Sequence, residues 1–371
     1  MTTDRVLIIA EAGVNHNGSV DLALRLIDAA AEAGADVVKF QTFKTDKGIV
    51  RHAPKARYQQ ETCGAGESQF DMVRKLELDA AAFHRLAGHC AARGIEFLST
   101  PFDLDSLDLL VRELPVRRLK IPSGEIINAP LLLQAARSRL PLIVSTGMAT
   151  LGDIEEALGV IAFGLTEAGS GPGPAPAPAP GRAAFAAAFA GACQTPEGRA
   201  RLAATVTLLH CTSEYPAPLS EVNLRAMATL SQAFGLPVGY SDHTQGLTVP
   251  VAATALGARV IEKHYTLDRT LPGPDHRASL EPAELKAMVA AIRATEQALG
   301  SPHKSLQPGE IDTRQVARKS LVAACAIPAG ALFTPENLTA KRPGGGRSPF
   351  DTWSLLGQPA ARAYAADEAI D

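Results

Sequence analysis

The sequence has few aromatic residues and no excess of cationic ones. The lack of net positive charge argues against one class of protein, the nucleic-acid-binding proteins. Aromatic residues make up 5% of the 371 positions, and 36 lysines and arginines face 39 aspartates and glutamates, for a formal net charge of -3. A chain without net positive charge is a poor candidate for binding nucleic acid through phosphate neutralisation. Hydrophobic residues reach 46% and charged residues 20%, which excludes a chain that is disordered throughout.

Long apolar runs are also missing. Arg, Asp, Glu or Gly interrupts the hydrophobic runs every few residues, and residues 1–4 lead into the first run without a cationic segment. We therefore expect neither a signal peptide nor a membrane span. The five cysteines are odd in number and are never spaced as Cys-x-x-Cys. We expect no structural zinc site, and a reducing cytoplasm as the location.

Short β-branched runs alternate with helical periodicity along the first 300 residues. Eight runs are predicted as strands: residues 6–10, 37–40, 96–99, 119–121, 142–145, 206–210, 237–240 and 260–263. Most are separated by segments with apolar residues at helical spacing, and several of those segments end in glycine just before the next strand. Eight strand–helix units predict an α/β fold, a (β/α)8 TIM barrel over residues 1–300. A doubly wound open sheet is the alternative.

Two segments depart from this alternation. Residues 164–204 contain a run of proline alternating with glycine and alanine, which lacks the backbone donors for a helix or strand and predicts an insert. In a barrel, a connection from helix to strand lies at the N-terminal face, so we expect the insert to have no role in catalysis. After a polar linker at 301–315, residues 316–371 predict a small, turn-rich β domain that is marginal alone and docks on another surface.

Polar residues follow the carboxyl end of every predicted strand, where the βα loops of a barrel build active sites. Lys39 and Lys120 stand within apolar runs, and a buried ammonium group is costly unless an anion meets it. Together they predict an anionic ligand. Hydroxyl donors for that ligand stand at neighbouring strand ends: Thr100, Ser123, Ser145 and Ser241. The alternative is that each lysine reaches solvent or pairs with Glu11 or Glu125.

Two histidines follow the neighbouring seventh and eighth strands. His243 and His264 can converge on one divalent cation, and two imidazoles leave positions for water and substrate, which suits Mn²⁺ or Mg²⁺ as a Lewis acid. Glu262 is on the same strand face as His264 and is predicted to act as acid–base or to orient a bound hydroxyl. The alternative for each histidine is a satisfied core residue. Three other histidines are weaker candidates: His16, His210 and His276.

Seven motifs spread over nearly the whole chain carry a family resemblance. They are residues 10–18, 39–42, 120–125, 145–148, 239–244, 262–264 and 272–276. Together they resemble the sialic acid synthases. The C-terminal segment, with Ile-Pro-Ala-Gly at 327–330 and Lys-Arg-Pro-Gly at 341–344, is similar to the antifreeze-like (SAF) domain of that family. The resemblance implies a TIM-barrel synthase domain followed by a small antiparallel β-clip domain.

The resemblance also implies an activity and a set of site residues. The activity is a metal-dependent condensation of phosphoenolpyruvate with an N-acetylmannosamine-type sugar, which releases phosphate and forms a nine-carbon 2-keto acid. Phosphoenolpyruvate contacts are implied for Lys39, Thr100, Lys120, Ser123, Ser145 and Ser241. Sugar contacts are implied for Glu11, Gln41, Glu125 and Asp275. The metal is assigned to His243 and His264, with Glu262 beside the reacting centre.

The resemblance further implies a domain-swapped homodimer. In such a dimer Arg342 of one chain lies over the other chain's barrel and binds the N-acyl group of the sugar. Without the resemblance, Arg342 would be interpreted as an exposed cation in a turn. A swapped arrangement also explains how a marginal C-terminal domain stays folded.

The acceptor sugar stays open between two branches of the family. Residues 121–128 and 263–268 are more similar to the N,N′-diacetyllegionaminate branch, whose acceptor is 2,4-diacetamido-2,4,6-trideoxymannose. Ser213 follows His-Cys-Thr, where the N-acetylneuraminate branch often has asparagine, and is the candidate for that phosphoenolpyruvate contact. Two other functions also stay open. One is another phosphoenolpyruvate-condensing barrel that acts on a sugar phosphate, and the other is a non-catalytic sugar-binding protein.

Overall fold

The structure is a computed structural model that describes residues 5–64, 66–167 and 182–371. The chain divides into two units, residues 1–300 and residues 301–371. Within the described ranges, no helix is both long enough and apolar enough to cross a bilayer. The cysteines are free thiols: Cys63, Cys90, Cys193, Cys211 and Cys325.

Eight parallel strands form the centre of the first unit. They are β1 Leu7–Gly13, β2 Val37–Thr42, β3 Glu96–Pro101, β4 Leu119–Ile121, β5 Leu142–Ser145, β6 Val206–His210, β7 Val238–Asp242 and β8 Val260–His264. Ladders join them in the order β3-β2-β1-β8-β7-β6-β5-β4, and β3 also contacts β4. The strands therefore follow chain order around a nearly closed TIM barrel. The predicted barrel is confirmed, and the doubly wound open sheet is excluded.

Helices surround the strands and also occupy some of the βα connections. They are α1 Val20–Ala33, α2 Thr45–Gly48, α3 Arg57–Cys63, α4 Gln69–Arg74, α5 Ala80–Arg93, α6 Leu104–Arg112, α7 Ala129–Arg137, α8 Leu151–Thr166, α9 Arg182–Gln194, α10 Pro196–Thr205, α11 Ala226–Phe234, α12 Thr248–Ala255 and α13 Pro282–Leu299. Local sequence sets their ends. The Ser19 side chain accepts from the Leu22 N–H at the start of α1, and Gly34 ends α1 in the left-handed conformation.

Strand alternation separates the outer core from the barrel interior. Val38 and Phe40 of β2 belong to the apolar core between strands and helices, whereas Val37 points to the interior. The interior has an apolar layer of its own: Ile9, Val37, Leu98, Ile143, Leu209 and Val260. Two residues further along, five of these six strands carry a polar residue: Glu11, Lys39, Thr100, Ser145 and Glu262. The strand period of two therefore places a polar layer directly above the apolar one.

The predicted insert at 164–204 is described only at its two ends, because residues 168–181 lie outside the described residues. On one side α8 continues to Thr166, and on the other α9 and α10 lead to β6. Phe163 of α8 and Phe189 of α9 pack edge to face with ring centroids 5.3 Å apart. The described part of the insert thus packs on a barrel helix.

The second unit has its own sheet and core. Strands β9 Ser320–Ala323 and β10 Leu338–Lys341 pair antiparallel, and the helices are α14 Ile311–Ala317 and α15 Thr352–Leu355. Apolar side chains from several turns form the core: Leu321, Ala323, Ile327, Phe333, Leu338, Leu355, Ala360, Tyr364 and Ile370. The predicted small β fold of this segment is confirmed. Residues 301–315, predicted as a linker, belong to this unit, and α14 begins among them.

Candidate active site

A cavity of about 430 Å³ opens at the carboxyl ends of the barrel strands. The site residues predicted within the barrel all line it: Glu11, Lys39, Gln41, Thr100, Lys120, Ser123, Glu125, Ser145, Ser213, Ser241, His243, Glu262, His264 and Asp275. Arg342 belongs to the second unit, where its Nε donates to the Ala317 carbonyl at 2.8 Å. The fold therefore brings the predicted barrel residues into one cavity, and their individual roles stay predictions.

Lys39 lies at the floor of the cavity and is almost completely buried. Its Nζ lies 2.9 Å from Glu11 Oε2 and donates to Thr100 Oγ1 at 3.0 Å. A second carboxylate is close, because the same Nζ lies 3.6 Å from Glu262 Oε1. The two carboxylates outweigh the effect of burial and raise the pKa of Lys39. Lys39 is therefore a permanent positive charge in the site.

Lys120 reaches the same carboxylate from the opposite part of the barrel. Its Nζ donates to Ser145 Oγ at 2.7 Å and lies 3.6 Å from Glu262 Oε1. Glu262 Oε1 also accepts from Ser241 Oγ at 3.0 Å. Burial lowers the pKa of Lys120. Two ammonium groups thus share one carboxylate oxygen, and an anion in the cavity can use the donor capacity that remains.

The two buried glutamates differ in their electrostatics. Burial would raise the pKa of Glu262, but Lys120 and Lys39 outweigh burial and hold it at about 2. Burial raises the pKa of Glu11 to about 7, and Lys39 opposes this rise. Near neutral pH one carboxylate is therefore fully ionised while the other is partly protonated. Two lysines that share the single ionised carboxylate of Glu262 suit a further anion, and a bound anion would itself favour the charged form of Lys120.

The alternative pairing of the lysines is realised in part. Lys39 does pair with Glu11, as that alternative expects. Lys120 pairs with Glu262 and not with Glu125, whose Oε2 accepts from Asn128 Nδ2 at 2.6 Å. Both lysines still line the cavity, so pairing with a carboxylate does not remove them from the ligand site.

The two predicted metal ligands lie side by side. The rings of His243 and His264 have centroids 5.6 Å apart. His243 Nδ1 donates to the Thr212 carbonyl at 2.6 Å, which leaves Nε2 as the nitrogen with a free lone pair. His264 Nδ1 is buried without a hydrogen-bond partner. Burial lowers the pKa of both imidazoles, that of His243 to about 4, so both are neutral at pH 7. Neutral imidazoles in this arrangement fit a divalent cation.

A closed metal site is not present in the part of the chain that the structure describes. No group of three or more His, Cys, Asp and Glu side chains there has the arrangement to hold an ion. The nearest carboxylate oxygen recorded for His264 is Asp275 Oδ2, 4.0 Å from Nδ1. Burial raises the pKa of Asp275 to about 6. A cation held by the two histidines would keep open positions for substrate and water.

Two tyrosines beside the histidines were not predicted. The Tyr215 ring lies 4.2 Å from the His243 ring and meets His264 edge-on at 5.6 Å. Tyr58 packs against Tyr215 with centroids 5.0 Å apart. Tyr58 belongs to α3, in the long connection from β2 to α5. The signal in the sequence was the length of that connection, because a stretch that long without a predicted helix or strand is uncommon in a compact domain and is usually functional.

Gly13 allows three site residues to approach one another. The β1–β2 ladder shifts between Glu11 and Gly13, and Gly13 has a φ of 52°. A Cβ atom there would lie 3.3 Å from both Gln41 Nε2 and Glu11 Oε1, and 3.5 Å from His264 Cε1. A side chain at this position would therefore occupy the space between the carboxylate and the imidazole.

A TIM barrel with a cationic floor below two neutral histidines defines an enzyme that binds an anionic substrate at the carboxyl ends of its strands. The chain belongs to the NeuB family, whose model matches residues 26–304, and residues 318–371 match the SAF domain. The predicted membership of the sialic acid synthases, with their C-terminal SAF domain, is confirmed.

Individual relatives cover nearly the whole chain. It is 48% identical over 366 residues to the N,N′-diacetyllegionaminic acid synthase of Campylobacter jejuni, with 99% of each chain covered. It is 43% identical to the enzyme of the same name from Legionella pneumophila, over 94% of this chain and 89% of that one. A crystal structure of N-acetylneuraminic acid synthetase from Leptospira borgpetersenii, in complex with citrate, is similar with a TM-score of 0.65 at 34% identity, covering 84% of this chain and 90% of that chain.

Proposed function

We propose that this enzyme condenses phosphoenolpyruvate with 2,4-diacetamido-2,4,6-trideoxymannose to form N,N′-diacetyllegionaminate and phosphate. The observation that carries the proposal is the pair of buried ammonium groups, Lys39 and Lys120, in one cavity with His243 and His264. The choice of acceptor is supported by the two relatives named as N,N′-diacetyllegionaminic acid synthases. N-Acetylmannosamine, which would give N-acetylneuraminate, is the second candidate acceptor.

Phosphoenolpyruvate binds at the floor of the cavity in this proposal. Lys39 and Lys120 neutralise its phosphate and carboxylate, and charge-assisted hydrogen bonds from ammonium groups are strong in such a buried position. Hydroxyl groups around them donate to the remaining oxygens: Thr100, Ser123, Ser145, Ser213 and Ser241. Glu262 Oε1, which is held by Ser241 and both lysines, keeps the ammonium groups aimed at that point.

A divalent cation, Mn²⁺ or Mg²⁺, is held by His243 and His264 in this proposal. When bound, such an ion polarises an aldehyde oxygen as a Lewis acid. The hydrogen bond from His243 Nδ1 to the Thr212 carbonyl orients that imidazole. The acceptor lies above the floor, where Gln41, Glu125 and Asp275 can bind its hydroxyl and amide groups, and Glu11 can reach it from the floor.

The reaction forms one carbon–carbon bond and one carbon–oxygen bond to water, and it breaks the carbon–oxygen bond to phosphate. The enol carbon of phosphoenolpyruvate attacks the aldehyde carbon of the open-chain sugar, and the aldehyde oxygen takes up a proton. Water adds to the oxocarbenium-like carbon that results and releases a proton, which balances the proton taken up by the aldehyde oxygen. The tetrahedral intermediate then expels phosphate by C–O cleavage, and its new hydroxyl group gives its proton to the departing phosphate to form the ketone. Lys39 and Lys120 stabilise the phosphate dianion throughout, which makes electrostatic stabilisation the main task of the protein. With ¹⁸O-labelled water, label in the phosphate instead of the keto acid would refute C–O cleavage.

The proposal assigns residues 1–300 to the synthase domain and residues 316–371 to the SAF domain of a domain-swapped homodimer. Arg342 of one chain would bind the N-acyl group of the sugar held in the partner barrel. A guanidinium group suits this task because it offers several donors in a fixed fork.

The decisive experiment is a panel of acceptors with mass detection of the product. Phosphoenolpyruvate is offered with the diacetamido-trideoxy sugar, with N-acetylmannosamine and with arabinose 5-phosphate. We expect phosphate release and a product of the mass of N,N′-diacetyllegionaminate, and loss of both in His243→Ala. Product from arabinose 5-phosphate alone would identify a synthase acting on a sugar phosphate. Absence of phosphate release with every sugar would indicate a binding protein.

A further inference from the structure

An apolar cluster lines one part of the active-site cavity and is separate from the main barrel core. Val14, Phe43 and Leu76 are buried together, with Val73 and Phe102 packed against them. Phe43 and Phe102 meet edge to face at 6.4 Å. These five side chains all line the cavity that holds the buried lysines. We call this set the apolar wall.

The apolar wall lies further out along the strands than the cationic floor. Lys39 and Gln41 belong to β2 and Thr100 belongs to β3, whereas Phe43 and Phe102 directly follow the last residues of these two strands. Both phenylalanines therefore stand beyond the carboxyl ends of the strands that hold Lys39 and Thr100. Val14 likewise directly follows Gly13, the last residue of β1. On this side of the cavity the lining thus changes from the ammonium of Lys39 through the amide of Gln41 to the hydrocarbon side chains of the apolar wall.

The connection from β2 to α5 that carries most of the apolar wall is fixed by hydrogen bonds. Glu77 Oε2 accepts from the Thr45 N–H at 3.1 Å and from the Thr45 hydroxyl at 3.0 Å. Asp103 Oδ2 accepts from the Lys44 N–H at 2.7 Å. These bonds tie the residues after Phe43 to the end of the connection and to the start of α6. The wall is a preformed surface of the cavity.

We propose that the apolar wall binds the outer end of the acceptor, namely the deoxy methyl at C6 and the methyl of the 4-acetamido group. This inference rests on the proposed function, in which the aldehyde end of the sugar faces the floor. The acceptor's outer end then meets valine, leucine and phenylalanine side chains, which have no polar atoms. A methyl group gains from burial there, whereas a hydroxyl group at C6 or C4 loses its water without a new partner. The apolar wall is thus the specificity element that favours the trideoxy acceptor over N-acetylmannosamine.

Two nearly isosteric substitutions test the apolar wall. Val14→Thr and Val73→Thr each replace a methyl group by a hydroxyl group at almost unchanged volume. The measured quantity is the ratio of kcat/KM for 2,4-diacetamido-2,4,6-trideoxymannose to kcat/KM for N-acetylmannosamine. This ratio does not depend on the fraction of folded enzyme, because both sugars are measured on one preparation. Val50→Thr is the control, since Val50 lies in the same connection, is 63% exposed and does not line the cavity.

We expect the wild-type enzyme to favour the trideoxy sugar. The ratio should fall by about 10-fold or more in at least one of the two variants, since a single methyl or hydroxyl difference has effects of that size in apolar pockets. Val50→Thr should leave the ratio unchanged. A ratio that stays at the wild-type value in both Val14→Thr and Val73→Thr overturns the apolar wall as a subsite and leaves the proposed function standing. A wild-type enzyme that prefers N-acetylmannosamine overturns the proposed acceptor and the subsite together.

Discussion

Lys263 Nζ lies 2.5 Å from Asp242 Oδ2, and both side chains are completely inaccessible to solvent. Lys263 also donates to the Thr244 carbonyl, and Asp242 accepts from the N–H and the hydroxyl of Thr244 at 3.0 and 3.1 Å. His243 stands between Asp242 and Thr244, and His264 directly follows Lys263. One buried ion pair therefore fixes the chain around both predicted metal ligands.

Removing one member of this ion pair should be strongly destabilising. Lys263→Met leaves the Asp242 carboxylate buried without its counter-charge, which typically reduces the free energy of unfolding by about 3–5 kcal/mol. The double variant Asp242→Asn/Lys263→Met should lose less than the sum of the two single variants. Denaturant titration of the four proteins gives the comparison. Lys47→Met, which removes an exposed ion pair with Asp105, is the control that should change little. Strictly additive losses would mean that the buried pair has no coupling energy.

Hydrophobic periodicity predicted the barrel because each strand carries a β-branched run and several of the helices between them end in glycine. The bounds of β4, β5 and β6 match the prediction, whereas β1, β2, β3, β7 and β8 continue further at their carboxyl ends. The added residues are mostly polar or small, such as Glu11, Gln41 and His264. They interrupt the apolar pattern while backbone pairing continues. Polar residues of the candidate site therefore lie on strands, at positions where the end of the apolar pattern predicts a loop.

Other parts of the site depend on contacts between distant segments. The connection from β2 to α5 contains helices of only four to seven residues, too short for a periodic signal. Its position over the cavity depends on Glu77 binding Thr45, 32 residues earlier in the chain. Tyr58 could be placed beside Tyr215 only once that fold was known. Roles that rest on the second unit, above all that of Arg342, stay predictions.

Gly147 should be intolerant of any side chain. Its N–H donates to Ser123 Oγ at 3.0 Å, and a Cβ atom at this position would lie 2.3 Å from Ser213 Oγ and 2.8 Å from Ser123 Oγ. Gly147→Ala must therefore displace the serines assigned to phosphoenolpyruvate, and displacements of that size cost about 10- to 100-fold in activity. We expect the loss in kcat/KM for phosphoenolpyruvate, measured by phosphate release. Gly88→Ala, on α5 with nothing within 4 Å, is the matched control. Wild-type kinetics in Gly147→Ala would show that the serines do not contact the substrate.

His16 should make the protein less stable in acid. Burial lowers its pKa to about 4, and His276 contributes to the shift. An unfolded chain takes up a proton on this imidazole near pH 6.5, so between pH 6.5 and 4 the unfolded state binds a proton that the native state does not. The contribution of this imidazole to the free energy of unfolding is therefore fully present above pH 6.5 and is lost as the pH falls. The loss is about 2 kcal/mol at pH 5.

The variant His16→Asn isolates that contribution. In the wild type the Gly18 N–H donates to His16 Nδ1 at 3.1 Å. Asparagine keeps an acceptor for this N–H but does not titrate. The free energy of unfolding of the wild type, minus that of the variant, should therefore fall by about 2 kcal/mol between pH 7 and pH 5. Urea titrations at the two pH values measure it. A difference that is constant with pH would show that the pKa of His16 is not lowered in the folded protein.

Deletion of residues 171–180 should leave turnover nearly unchanged. The insert begins at the C-terminal end of α8 and returns through α9, which packs on α8, and a connection from helix to strand lies at the N-terminal face of a barrel. No residue of the insert lines the cavity among those that the structure describes. Steady-state kinetics of the deletion variant with both substrates provide the measurement. A large loss of kcat would mean that this segment takes part in the reaction.

Truncation before Val316 should abolish turnover while phosphoenolpyruvate binding persists, because the lysines and serines of the cavity floor all belong to residues 1–300. Calorimetric titration of the truncated chain with phosphoenolpyruvate separates the two effects, and full activity in that chain would contradict the assignment of Arg342 to the sugar.

A mixture of two inactive full-length variants then tests the exchange of domains. In a swapped dimer of Arg342→Ala with His243→Ala, one barrel is intact and receives Arg342 from its partner. Mixing the variants under conditions that allow subunit exchange should therefore restore part of the activity. If Arg342 instead served its own barrel, each chain would carry one defect and the mixture would stay inactive.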